Sequence, residues 1–224
     1  MERLRRLKRL FWFAFIAVAL FVPAGTLAWP GGWLFLVLFL AGAFGTMGWL
    51  KRRDPELYRE RLRRFGEASD QPRWDKLFGL VMGVTWYAWI AAMGFEARGA
   101  VATSPVLLGA GAAVMISGYL LAAASLAANS FAATVVRLQT ERRQRVIDTG
   151  PYALVRHPMY TGSLAVHIGT ALLLGARWGL LGLPVLAFLL GARAVLEERL
   201  LREGLSGYAE YTARVRWRLI PGLF

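Results

Sequence analysis

Two groups of ionisable residues in the last third of the chain have the types and spacing of a binding site. The first is the run Gly150-Pro151-Tyr152-Ala153-Leu154-Val155-Arg156-His157-Pro158-Met159-Tyr160-Thr161-Gly162, where a guanidinium, an imidazole and two phenols surround a proline. Proline restrains the residue before it to extended backbone and fits the first turn of a helix, so a helix is expected to begin at Pro158 with His157 at its edge. The free amides and positive dipole end of that helix, beside Arg156 and His157, suit an anionic group. Tyr152 and Tyr160 offer aromatic faces to a flat ring. The same residue types also anchor helix ends at membrane interfaces.

The second group is Arg193, Glu197, Glu198, Arg199, Arg202 and Glu203. Arg193 and Glu197 lie one helical turn apart, whereas adjacent residues on a helix point roughly 100° apart. Glu197 and Glu198 are therefore expected to serve different partners, one facing the bundle and the other an arginine. Ionisable groups this close to hydrocarbon are costly and tend to pair or to line a site. Downstream, Tyr208 and Tyr211 have i, i+3 spacing and share a helix face that can cap the site. His167, roughly 15 Å into an apolar stretch, reads as a helix-packing residue. The absence of cysteine excludes disulfides, thiolate metal sites and a cysteine nucleophile, and no metal is expected.

The elements that must position these groups are set by apolarity. At 57% hydrophobic and 18% charged residues, with mean hydropathy +0.44, the chain is too apolar for an ordinary soluble domain. Its apolar residues fall into blocks near the length of about 20 that a hydrocarbon core requires. Six such blocks predict an all-α polytopic membrane protein: Phe11–Trp29, Trp33–Leu50, Leu77–Phe95, Pro105–Ala128, Pro158–Leu174 and Trp178–Leu196. The first is longer than a signal-peptide core and is read as a span. The last two are separated by Gly175-Ala176-Arg177 and form a tight hairpin, which brings Arg156 and His157 to the same depth as Arg193, Glu197 and Glu198.

Charge supplies orientation. Of 27 lysines and arginines, 25 lie in residues 1–10, 51–76, 129–157 and 193–224, which places both termini on the cytoplasmic side of an inner (cytoplasmic) membrane. The net charge of +13 thus marks topology and attraction to anionic membrane lipids, and no nucleic-acid partner is expected. Residues 51–76 read as a solvated charged loop with a short surface helix between Pro55 and Phe65, with room for arginine contacts to lipid phosphates. Gly109, Gly111 and Gly118 suit close helix packing rather than a nucleotide loop. Residues 1–224 are read as one domain, with 1–128 a scaffold of four helices and 129–224 the functional half, because ionisable residues concentrate there.

In order and spacing, Gly150-Pro151-Tyr152, Arg156-His157-Pro158-Met159-Tyr160-Thr161-Gly162, Glu197-Glu198 and the Tyr208/Tyr211 tail ending in Pro221 resemble membrane methyltransferases of the isoprenylcysteine carboxyl methyltransferase type and their bacterial relatives. These are related in turn to phospholipid N-methyltransferases. The resemblance implies a helical enzyme that binds S-adenosylmethionine near the cytoplasmic face and takes a lipophilic small-molecule or lipid acceptor from the bilayer. It assigns cofactor binding to Tyr152, His157, Tyr160, Glu197, Glu198, Tyr208 and Tyr211, and catalysis to Arg156, Arg193 and Glu197. The wealth of arginine favours a carboxylate acceptor, as in prenylcysteine O-methylation. Residues 1–128 carry no motif for prenylcysteine recognition, so phospholipid or small-molecule N- or S-methylation stays open. Steroid-reductase-like enzymes that use NADPH share an Arg-His-Pro-x-Tyr segment, but Met159 and Ser163 stand where those carry Asn and Glu. A non-catalytic scaffold or transporter is disfavoured because polar residues in the first four spans are too few for a solute pathway.

Overall fold

The computed structural model describes residues 14–63, 70–99 and 104–224, and all regular structure among them is helical. The helices are α1 (Ala14–Ala24), α2 (Pro30–Arg53), α3 (Pro55–Arg61), α4 (Arg73–Ala97), α5 (Pro105–Ala128), α6 (Pro158–Leu174), α7 (Arg177–Gly204) and α8 (Tyr208–Arg214). Proline opens α2, α3, α5 and α6, where its missing N–H costs nothing. Ser104 caps α5 by accepting from the Leu107 amide at 3.2 Å, and Asp54 caps α3 through Leu57 at 2.9 Å. Gly175, at φ +64, ends α6 in the left-handed conformation and turns the chain into α7.

The protein is an integral membrane protein, with α2, α4, α5 and α7 long and apolar enough to cross a bilayer. The fourth and fifth expected blocks coincide with α5 and α6, and the second, third and sixth fall inside the longer helices α2, α4 and α7. The helices of the first and fifth blocks are shorter than the four named above as long enough to cross. The described part of α1 ends at Ala24, where Gly25 takes φ +66, and residues 11–13 lie outside the described residues. Helix α6 has 17 residues, roughly 25 Å, because Pro158 and Gly175 fix its ends. The outer surface is apolar, as lipid requires: Val106 is 78% exposed and Phe188 is 73% exposed.

Without a hydrophobic force between helices in lipid, close packing of small residues holds the bundle. Helices α5 and α6 run antiparallel with their backbones in contact. A Cβ on Gly118 would stand 2.6 Å from the Gly162 carbonyl oxygen, and one on Gly162 would stand 2.7 Å from that of Gly118. Gly169 meets Met115 in the same way, while Gly109 faces open space and takes no part. Phe35, Trp89, Ile90, Met93, Met115 and Leu173 fill the adjoining core. At the end opposite most of the arginines, Glu96 of α4 accepts from Arg177 Nε at 3.0 Å and the Trp178 amide at 2.9 Å, pinning the start of α7.

Two outcomes follow. Gly118→Leu is expected to destabilise the bundle by more than the usual overpacking cost of about 1–3 kcal/mol, because the clash is with backbone, while Gly109→Leu leaves the melting temperature unchanged. In the cysteine-free chain, single cysteines at Arg143 and Glu210 are expected to react with an impermeant maleimide from the cytoplasm, and those at Thr26 and Gly99 from the opposite side; the reverse pattern would overturn the charge-based orientation.

Candidate active site at the charged end of the bundle

Helix α6 begins at Pro158, with His157 as its N-cap in a non-helical conformation. The His157 and Tyr160 rings stack in parallel at 5.2 Å. The last turns of α7 stand beside them, and the adjacent glutamates divide as helix geometry demands. Glu198 is buried. It receives Arg156 through Nε at 2.7 Å and Nη2 at 3.3 Å, His157 Nε2 lies 3.2 Å away, and Arg218 Nε donates at 3.1 Å. Glu197 keeps a quarter of its side chain exposed, accepts from the Tyr160 hydroxyl at 2.5 Å, and lies 3.8 Å from His157 Nδ1.

Arg156 is more than a partner for Glu198. Its Nη1 donates to the carbonyls of Val215 at 2.6 Å and Arg216 at 2.8 Å, and its amide donates to Trp217 O at 2.9 Å. The His157 amide donates to Arg218 O at 2.8 Å, and Thr161 Oγ1 donates to Leu219 O at 2.6 Å. The tail after α8 is thereby stitched across the start of α6. Tyr208 and Tyr211 are buried against Val146, Leu201, Leu205 and Val215, and the Tyr211 hydroxyl donates to Tyr152 O at 2.8 Å. Burial pushes the Tyr152 phenol up to about 12.

These residues surround a cavity that opens to solvent. Tyr152, Arg156, His157, Tyr160, Glu197, Tyr208 and Tyr211 all line it, with Val135, Val136, Val146 and Leu205 among its apolar walls. Glu198 and Arg193 stand outside this lining. Arg193 pairs with buried Asp75 at 3.0 Å, donates to Thr134 O at 2.7 Å, and lies over the rings of Phe78 and Tyr160. His167 sits between helices, its ring 5.5 Å from that of Trp89, away from the cavity.

Several residues around the site escaped sequence reasoning. Asp75 is fully buried and accepts from Gln71, the Val136 amide and Arg193. Arg137 is buried among Glu60, Asp70 and Glu141. Arg61 reaches Ala132 O and Met159 Sδ beside the cavity. Glu60, Arg61 and Asp75 all come from residues 51–76, the stretch expected to be a solvated face. The one signal was Asp75, a lone carboxylate at the start of an apolar helix.

An all-helical membrane protein with a cavity of this chemistry at one end has the build of an enzyme acting at the bilayer surface. Residues 106–206 match the model of the phospholipid methyltransferase family. The match covers α5 to the end of α7 and includes Tyr152, Arg156, His157, Tyr160, Arg193, Glu197 and Glu198. No curated protein sequence matches the chain. The protein is a membrane methyltransferase that uses S-adenosylmethionine, and the family it matches is related to the isoprenylcysteine carboxyl methyltransferase type. The reductase and scaffold readings are thereby set aside.

The geometry separates the two glutamates experimentally. Glu198→Gln leaves Arg156 and Arg218 without a buried counter-charge and is expected to cost about 3–5 kcal/mol of stability, read as a lower melting temperature in detergent. Glu197→Gln, whose partners are a phenol and a distant imidazole, lowers it far less.

Proposed function

We propose that the protein methylates the amine of a phospholipid-type head group at the cytoplasmic membrane face. The observation that carries this reading is the charge facing the cavity. The two arginines expected to hold a carboxylate acceptor are already paired, Arg156 with Glu198 and Arg193 with Asp75. Glu197 instead turns a carboxylate toward the cavity, and a carboxylate attracts an ammonium head.

S-adenosylmethionine supplies an electrophilic methyl group on a sulfonium centre when bound. The residues present fit it: phenols at Tyr152, Tyr208 and Tyr211 and apolar walls suit the adenine, and His157 at the start of α6 suits the carboxylate. An amine must shed its proton before it can attack, and Glu197, hydrogen-bonded to Tyr160 and close to His157, is the group to take it. Arg156 and Glu198 act as positioning residues that hold His157 and the tail in register. Alignment and exclusion of water then do most of the work in transfer to nitrogen.

Carboxyl O-methylation of a prenylcysteine-like amphiphile is the second reading. It is favoured by the Arg-His-Pro-x-Tyr and Glu-Glu elements together with Arg145, which lines the cavity, and Arg61 beside it, neither of which has a carboxylate partner among the described residues.

Label chemistry decides between the two. With S-adenosylmethionine carrying a radioactive methyl group, the purified protein is expected to put base-stable label into phosphatidylethanolamine. Base-labile label in a prenylcysteine-like acceptor, with none in the phospholipid, would overturn the amine assignment. Glu197→Gln is expected to lower kcat about 10²–10⁴-fold while S-adenosylhomocysteine binds as before. Lost binding with kcat retained at saturation would move Glu197 to the cofactor.

A further inference from the structure

Arg61, the last residue of α3, is held in place from several sides. Its backbone carbonyl accepts from Thr134 Oγ1 at 3.1 Å, and its Nη1 donates to Ala132 O at 2.7 Å and to Met159 Sδ at 3.7 Å. Leu57, one turn earlier, is fully buried against Leu50 and Leu126, in a cluster that also takes in Ala132 and Met159. The residue as a whole is half-buried, yet its Nε is sealed from solvent and has no hydrogen-bond partner. No carboxylate among the described residues pairs with it, in contrast to Arg137, Arg156 and Arg193 nearby. Burial, reinforced by the charge of Arg193, pushes the guanidinium down to about 10.

A buried guanidinium without a counter-charge is costly, and such cost persists where function needs it. The cover over Arg61 is Ala132 and Met159, both of which line the cavity, and a thioether is the most adaptable of apolar side chains. Met159, which Arg61 reaches, shares the cavity lining with Tyr160 and Glu197, and the Tyr160 hydroxyl donates to Glu197 at 2.5 Å. A cation-attracting carboxylate and the cover of an anion-seeking guanidinium thus face one cavity. A phosphoethanolamine head has the matching order of charge, with its ammonium two carbons from its phosphodiester.

We propose that Arg61 binds the phosphodiester of the acceptor lipid while the amine of the same head group lies toward Glu197, making Arg61 a specificity-determining residue. This rests on the phospholipid-amine reading above.

The test uses the full chain and its Arg61→Gln and Arg61→Lys variants, with dihexanoyl phosphatidylethanolamine and a phosphate-free alkyl ethanolamine ether as probes. In Arg61→Gln the KM for the phospholipid is expected to rise at least about tenfold, the size of one lost charge-assisted contact, with partial recovery in Arg61→Lys. The KM for the ether, S-adenosylhomocysteine affinity and kcat at saturation stay unchanged, and the melting temperature stays level or rises because an uncompensated charge has gone. An equal rise for both probes, or a fall in melting temperature with KM unchanged, would show a structural role and overturn the proposal. Weaker S-adenosylhomocysteine binding would assign Arg61 to the cofactor and also overturn it. Phospholipid binding, followed by tryptophan fluorescence with S-adenosylhomocysteine present, separates this proposal from the one beneath it. If the wild type methylates no amine but Arg61→Gln still weakens phospholipid binding about tenfold, the amine reading fails and the phosphodiester site stands. If wild-type protein binds only the carboxylate of a prenylcysteine-like probe through Arg61, the phosphodiester assignment fails.

Discussion

At the charged end of this bundle, one buried carboxylate gathers three separate parts of the chain. Glu198, near the end of α7, holds Arg156 and His157 from the approach to α6 and Arg218 from the tail. Each partner adds its own attachments, so that Arg156 reaches two carbonyls of the tail and His157 leads into the first turn of α6. A carboxylate at this depth survives only because its lone pairs are filled by charged donors. With it in place, the wall of the cavity formed by α6, α7 and the tail becomes a single construction.

The neighbouring glutamate shows how a carboxylate stays turned to the cavity beside such a rigid anchor. Glu197 is one residue away in sequence but about 100° away around the helix, so it escapes the ion-pair network and meets Tyr160 and the cavity instead. The same division runs through the arginines. Arg156, Arg193 and Arg137 are each neutralised inside the protein, by Glu198, by Asp75 and by a set of three carboxylates. Their charge serves architecture, so the high arginine content near the site is a poor guide to the charge of its ligand.

Depth is fixed by the membrane part. The close contact of α5 with α6 through Gly118, Gly162 and Gly169 sets where the start of α6 lies, and Gly175 returns the chain so that α7 ends beside that start. Between α5 and α6, residues 129–157 run without an α-helix and cross the charged end, contributing Thr134, Val136 and Arg137 to its hydrogen bonds. Irregular backbone of this kind is tolerated at a membrane protein's surface because polar groups and the cavity satisfy it.

Hydrophobic block length and the punctuation of Pro105, Pro158 and Gly175 were enough to read α5 and α6 to the residue, because helix ends in lipid follow rules local to the chain. The gathering of Tyr152, Arg156, His157, Tyr160, Glu197, Tyr208 and Tyr211 around one cavity was legible for a related reason, since the hairpin leaves few ways to arrange them. What the sequence could not determine was pairing. Which glutamate would be buried, that Asp75 would reach 118 positions along the chain to Arg193, and that Arg61 would lie buried rather than solvated all depend on how distant helices pack. Charge in a sequence gives sign and position along the chain, whereas the counter-charge that decides its role is brought there only by the tertiary structure.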